Sequence, residues 1–335
     1  MIRVSFILPC YNVAPYFGRC IESIEHQDIP QAEYEVICVD DCSTDNTVEV
    51  IKEYQKQYPN IRLICHAENK NAGGARNTAL DAAKGEYIWC IDPDDSIPTD
   101  VLGALIKKAE KNQLDILLFN LLYREEDGTE NTKMLYRDED KVLTGVAYST
   151  KICAPKYLHY VTSHTCCIYR KAFLEKHNIR YPEIRSSQDV IFVWNAVLLA
   201  KRVSSVSTVC YNVFRRPNST TGSKGKLKAN AIISASLLYC NEVNRLRGIN
   251  TEVVLDEDLQ SEMQMTLDND SRKVLHTTLK EQRLFYKELC HYAAMVDQYR
   301  TWMNRKTKKI MNYKLPYPIW QMVIWGYKAY EKIRK

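Results

Sequence analysis

The chain has 335 residues, 45% hydrophobic and 26% charged, a composition of ordinary globular proteins and a length for about two domains. Its net charge of +5 is mild and lacks the broad basic field of a dedicated nucleic-acid binder. The 12 cysteines form no repeated C-x-x-C pairs and no His/Cys ligand clusters, which argues against structural zinc. Cys10, Cys38, Cys65 and Cys90 lie in apolar runs and suit small buried hydrophobes in a reducing compartment.

The run "RVSFILP" predicts a buried strand, and the chain start is too short in apolar residues for a signal peptide. "YFGRCIESIEHQ" then follows helical spacing, with Phe17, Cys20, Ile21 and Ile24 on one face. "YEVICVDD" predicts a second strand, "STDNTVEVIKEYQKQY" a capped helix, and "IRLICH" a third strand. "GGARNTALDAAKG" predicts a helix closed by Gly85, followed by a fourth strand, "EYIWCID". One more helix and strand follow in "PTDVLGALIKKAEKNQ" and "LDILLFNLLY". Strands that are apolar throughout and alternate with helices indicate an α/β fold, a mostly parallel sheet with helices on both faces.

The polar stretch 124–140 predicts a hairpin or loop excursion, "HTCCIYRKAFLEKHN" a strand running into a helix, and "SQDVIFVWNAVLLAKRV" a further helix. "VSSVSTVCYNVFRRP" predicts the last strand, and beyond about Leu227 only helical patterns remain. We therefore expect two regions, 1–222 and an α-helical 223–335. No apolar stretch approaches the roughly 20 residues of a membrane-spanning helix, so the expected location is cytoplasmic.

In an open parallel sheet, ligands bind beyond the carboxyl ends of the strands. Those ends are Pro9–Asn12, Asp40–Asp41, His66–Asn71 and Asp92–Asp95. The last is the most telling. Asp92, Asp94 and Asp95 crowd where an apolar strand stops, and one acid would suffice for a helix cap. Like charges at 4 Å repel by about 4 kcal/mol at an effective dielectric near 20, so three acids suggest a divalent metal. Tyr11, beside Asn12, offers a ring that can face a nucleobase or pack over its own loop. Asp40 can accept a hydrogen bond from a base N–H, while Asp41 and Asp45 suit turn and cap chemistry. Gly73 and Gly74 would let an anion approach the amides of their helix. Arg76, in its first turn, opposes the helix dipole and so should face an anion or the acid cluster. Neither G-x-x-x-x-G-K-[ST] nor a G-x-G-x-x-G in the first loop is present, which weakens P-loop hydrolysis and dinucleotide chemistry.

Taken together, "VSFILPCYN", "EVICVDDCSTDNT", "GGARNTALDAAKGEYIWCIDPDD" and "SQDVIF" resemble the family 2 glycosyltransferases of GT-A fold, over residues 1 to 222. The resemblance implies that Asp92-x-Asp94 is the family's DXD element. Asp94 would bind a Mn²⁺ or Mg²⁺ that carries the donor diphosphate, Asp92 would reach the ribose and metal region, and Asp95 would be the third acid of the set. Pro9, Tyr11, Asn12 and Asp40 fall where the family holds the nucleobase, usually uracil, with Arg76 and Asp92 close by. Asp189 falls at the general base of an inverting transfer, with Gln188 replacing the acid that usually precedes it. From the residues alone, Asp189 reads first as a helix cap, and the resemblance makes it the base. Arg216 and Ser219 fall at the loop that closes over the diphosphate. Thr165 and Cys167 replace a Trp and a Lys of the commoner pattern, on the side assigned to the acceptor. The implied donor is a nucleotide-sugar, most simply a UDP-sugar, and the implied acceptor a glycan or polyprenyl-linked hydroxyl in cell-surface polysaccharide synthesis.

Two rivals are a sugar nucleotidyltransferase, which usually brings a Gly-rich basic loop that "PCYNVAPYF" lacks, and a non-catalytic nucleotide-sugar-binding or membrane scaffold protein, which has no need of Asp92, Asp94 and Asp189 together. Residues 301–335 mix bases with aromatics, and a helix from Pro318 would place Ile319, Trp320, Val323, Ile324 and Tyr327 on one side. Such a helix suits an anionic membrane surface, and equally a dock on the protein itself or a second subunit.

Overall fold

A computed structural model describes residues 1–125, 127–133, 138, 141–151, 163–182, 184, 188–215, 279–291, 293–298, 303, 305–312 and 314–333. Residue contacts divide the chain into two units, Met1–Arg216 and Pro217–Lys335.

The first unit is built on strands β1 (Val4–Cys10), β2 (Tyr34–Asp40), β3 (Ile61–Cys65), β4 (Tyr87–Cys90), β5 (Ile116–Arg124), β6 (Glu130–Lys133), β7 (Cys167–Arg170) and β8 (Val203–Phe214). They form one sheet ordered β3-β2-β1-β4-β7-β5-β6, with β8 also paired to β5. The β3-β2-β1-β4 half is parallel, in register Cys10 with Asp40 and Ile7 with Cys90. β7 enters antiparallel between β4 and β5, so β5 runs in the same sense as β4, and β8 lies parallel to β5. The polar excursion after β5 is a hairpin, pairing Arg124 with Glu130.

The helices in this unit are α1 (Ala14–Glu25), α2 (Thr47–Gln57), α3 (Asn71–Ala82), α4 (Leu102–Lys111), α5 (Gly145–Lys151), α6 (Lys171–Lys176) and α7 (Gln188–Leu199). α1 begins with proline in its first turn and buries Phe17, Cys20, Ile21 and Ile24, the face its spacing predicted. The core centres on Phe6, Trp89 and Phe119, whose rings follow one another at 5.6 Å and 5.0 Å. Gly85 does not cap α3 with a left-handed residue: α3 ends at Ala82. Its missing side chain lets the turn close onto β1, since a Cβ there would lie 2.5 Å from the Ser5 nitrogen and 2.6 Å from the Val4 carbonyl carbon.

In the second unit, the helix Tyr317–Ile333 buries Trp320 and Ile324, and Trp320 stacks on Phe285 of the helix Leu279–His291 at 5.9 Å. Ile319, expected beside Trp320, is instead exposed, as are Met322 and Trp325. No helix among the described residues is long and apolar enough to cross a membrane.

Candidate active site

The parallel half of the sheet brings the ends of β1, β2 and β4 to one rim. At the end of β1, Tyr11 is 51% exposed, leaving its ring open to solvent, while Pro9 lies in the strand opposite Val39. Asn12 has a left-handed φ of 53°, which asparagine tolerates, and its side-chain oxygen accepts from the Thr44 amide at 2.8 Å. It ties the first loop to the second.

Asp40, at the end of β2, is buried. Its Oδ2 accepts from the Ser43 amide at 3.2 Å, and its Oδ1 has no hydrogen-bond partner. A buried, unsatisfied carboxylate oxygen is costly, by about 1–3 kcal/mol, and this atom is left able to accept a further hydrogen bond. The neighbouring acids serve the fold. Asp41 binds His66 Nδ1 at 2.7 Å and accepts from the Lys70 amide, and Asp45 accepts from the Thr47 amide and hydroxyl.

The three acids after β4 are separated by their surroundings. Asp92 Oδ1 accepts from Arg76 Nη2 at 2.7 Å. His164 Nε2 lies 3.7 Å from the same oxygen. Burial opposes the charge on Asp92, but Arg76 and then His164 outweigh it and hold the carboxyl well below the usual range. Arg76 therefore pairs with Asp92 within the acid cluster, and its guanidinium is itself buried, with Nε and Nη1 unpartnered.

Asp95 departs from the expected metal-binding set. It is buried, its Oδ2 accepts from the Tyr211 hydroxyl at 2.9 Å, and its Oδ1 accepts from the Phe214 amide at 2.9 Å. Burial, followed by the charges of Asp94 and Asp92, pushes its pKa well up. Both oxygens are spent on anchoring β8, so Asp95 does not fit a cation ligand. Asp94 is half-buried, and the Arg19 guanidinium binds its main-chain carbonyl while lying 3.5 Å over the Phe214 ring.

Among the described residues no three His, Cys, Asp or Glu side chains converge on one ion position. Asp94 and the one-third-exposed Asp92 side chain supply hard oxygen donors of the kind Mg²⁺ and Mn²⁺ take. That number suits a cation whose other ligands are phosphates and water.

Asp189 lies in the first turn of α7, one-third exposed, with its Oδ2 3.9 Å from His164 Nδ1. Gln188 is buried with its side-chain oxygen unpartnered. Gly73 is explained by it: a Cβ on Gly73 would lie 3.0 Å from the Pro182 carbonyl and 3.3 Å from Gln188 Cγ. The glycine thus lets α3 pack against Tyr181, Pro182 and Gln188. Arg216 and Ser219 lie outside the described residues.

Thr165 is a second correction. It is buried, its hydroxyl pairs with Ser163 Oγ at 2.7 Å, and its carbonyl accepts from Trp89 Nε1 at 2.8 Å. It belongs to the core rather than to an acceptor surface. The residue of that turn that reaches the carboxylates is His164, which the sequence did not single out. A histidine between Ser163 and Thr165, ahead of the apolar run "CCIY", carries no periodic signal, and Asp92 and Asp189 meet it only in three dimensions.

A mixed sheet of this order, with carboxylates and an open aromatic ring at the ends of β1, β2 and β4, is the GT-A fold. It is similar to Staphylococcus aureus TarS 1–349 in complex with UDP-GlcNAc, at TM-score 0.69 and 23% identity, covering 98% of this chain and 92% of that one. It is also similar to the mannosyltransferase PcManGT from Pyrobaculum calidifontis in complex with GDP-Man and Mn²⁺, at TM-score 0.51 and 16% identity, covering 98% of this chain and 88% of that one. Residues 5–177 match the model of Glycosyl transferase family 2, and the chain belongs to that family.

Among its relatives, a poly(ribitol-phosphate) beta-glucosyltransferase of Bacillus spizizenii is 31% identical over 61% of this chain and 31% of its own length. The poly(ribitol-phosphate) beta-N-acetylglucosaminyltransferase TarS of S. aureus strain Mu50 is 30% identical over 78% of this chain and 42% of its own length. The chain thus spans less than half the length of these two relatives.

Proposed function

We propose that this chain transfers a sugar, with inversion, from a UDP-sugar to a hydroxyl of a cell-surface polymer or its lipid-linked precursor. The observation that carries the reading is the pair of carboxylates, Asp92 and Asp189, that approach one buried imidazole from two elements of the fold. One lies on the side of the donor diphosphate, the other on the side of the incoming alcohol. The unpartnered Asp40 Oδ1 would accept from the base N–H, with the open Tyr11 ring against the base. Arg76 holds Asp92 ionised. Asp94, with Asp92, would hold a Mn²⁺ or Mg²⁺, which when bound offsets the charge growing on the leaving diphosphate. Asp189 takes the proton of the acceptor hydroxyl, as a single general base does in a direct displacement. The names of the relatives point to glucose or N-acetylglucosamine as the sugar and to ribitol-phosphate units as the acceptor.

The test is a binding and turnover panel of UDP-glucose, UDP-N-acetylglucosamine and UDP, with Mn²⁺ and with EDTA, each with and without a ribitol-phosphate oligomer. Asp189→Asn should keep UDP affinity and lose transfer by about 10²–10⁴, the usual worth of a general base. EDTA should abolish turnover. Full transfer by the variant removes Asp189 from this role, and full turnover in chelator removes the metal.

Attachment to the inner membrane face belongs to the same reading. Residues 301–335 hold nine Lys or Arg and one acid, whereas the other 300 residues hold 37 bases against 40 acids. The exposed Ile319, Met322 and Trp325 lie on the helix within this basic segment. Serine at these three positions should reduce co-sedimentation with anionic vesicles, and equal partitioning of both proteins refutes the attachment.

A further inference from the structure

His164 helps hold Asp92 ionised, but its approach to Asp189 has no role in the chemistry derived so far. Its side chain is 5% exposed, yet neither ring nitrogen has a hydrogen-bond partner. Leaving a buried polar atom unsatisfied costs about 1–3 kcal/mol, and a leucine would fill the place without that cost. The ring is held in a fixed position. Tyr181 meets it edge-on at 5.7 Å and stacks flat on Phe192 at 4.0 Å. Phe192 lies one helical turn after Asp189 in α7. The Tyr181 hydroxyl is 2.9 Å from Cys90 Sγ, at the end of β4 and two residues before Asp92. One clamp therefore fixes the imidazole against both elements that carry the carboxylates. Among the described residues, His164 is the one basic side chain within ion-pair distance of Asp189.

We propose that His164 is the positioning residue of Asp189: in the substrate-bound enzyme its Nδ1–H donates to Asp189 Oδ2 and fixes the carboxylate toward the acceptor hydroxyl. The separation of 3.9 Å without substrate is of the kind that tightens on binding. A carboxylate in the first turn of a helix, one-third exposed, otherwise samples several rotamers. A misplacement of about 1 Å costs on the order of 100-fold in rate.

The inference rests on Asp189 being the base, so Asp189→Asn is measured beside it. An asparagine amide sits where Nδ1 does, and a glutamine amide where Nε2 does. His164→Asn should therefore retain a turnover rate within about 5-fold of wild type, while His164→Gln and His164→Leu should lose about 10- to 100-fold. KM for the UDP-sugar should stay near the wild-type value in all three, because Arg76 keeps its bond to Asp92, and the melting temperature should not fall in the leucine variant. The rate is UDP release from whichever donor of the panel the wild-type chain turns over. Wild-type rates in His164→Leu, or equal losses in the Asn and Gln variants, overturn the positioning role. Should the leucine variant fail to fold, the Asn–Gln comparison decides alone. Transfer lost in Asp189→Asn but kept in His164→Leu removes His164 only. Transfer kept in Asp189→Asn, or no turnover by the wild-type chain, removes the base and this inference together.

Discussion

Tyr211→Phe deletes one oxygen from the interior and tests how the acid loop is held. The Tyr211 hydroxyl accepts from the Asp92 amide at 3.0 Å and donates to Asp95 Oδ2 at 2.9 Å. Burial, followed by the charges of Asp95 and Asp92, pushes the phenol well above its usual range, so it remains a donor at any working pH. In the variant the Asp92 N–H loses its protein partner, a cost of about 1–3 kcal/mol. Asp95 loses one of its two donors, and because it is driven toward the neutral form we count that bond at about 1 kcal/mol. The loss should total about 2–4 kcal/mol, a large part of the usual 5–15 kcal/mol of folding stability. Urea unfolding of the full chain, followed by tryptophan fluorescence, measures it as a lower midpoint with an unchanged slope. An unmoved midpoint would refute the claim that this hydroxyl joins β8 to the loop after β4.

Gly85→Ala should lower the melting temperature, because its methyl would meet β1 backbone rather than a side chain that can swing away. Overpacking of this kind costs about 1–3 kcal/mol, and an unchanged melting temperature would contradict the close approach. Stability should also fall in alkali. Burial pushes Cys90, Cys210 and Tyr87 each up to about 12, from ordinary values of 9.0, 9.0 and 10.0. These groups keep their protons longer folded than unfolded, so their stabilisation is complete below about pH 9 and is lost as pH climbs toward 12. Urea midpoints should decline across that window, and a flat profile would show that the groups are not as enclosed as described.

Much of the fold could be read in the sequence because its signals are local. The strand in "RVSFILP" follows from a short continuous apolar run, and the helix face of Phe17, Cys20, Ile21 and Ile24 from side-chain period. The acid loop and Asp40 stand out because loops beyond strand ends are fixed in sequence once the elements are, whereas Asp189 stands out through the resemblance of its motif. What only the tertiary structure decided is the division of labour among like residues. Asp92, Asp94 and Asp95 are nearly equivalent as text. Arg76 is 16 residues from Asp92, and Tyr211 is 116 from Asp95. Contacts across such distances set which acid stays ionised and which turns inward to hold β8. The antiparallel entry of β7 likewise brings the turn at His164 beside β4, so a histidine with no local signal comes to face two carboxylates. Period and composition govern what one segment can be, while electrostatics and burial depend on neighbours that folding alone supplies.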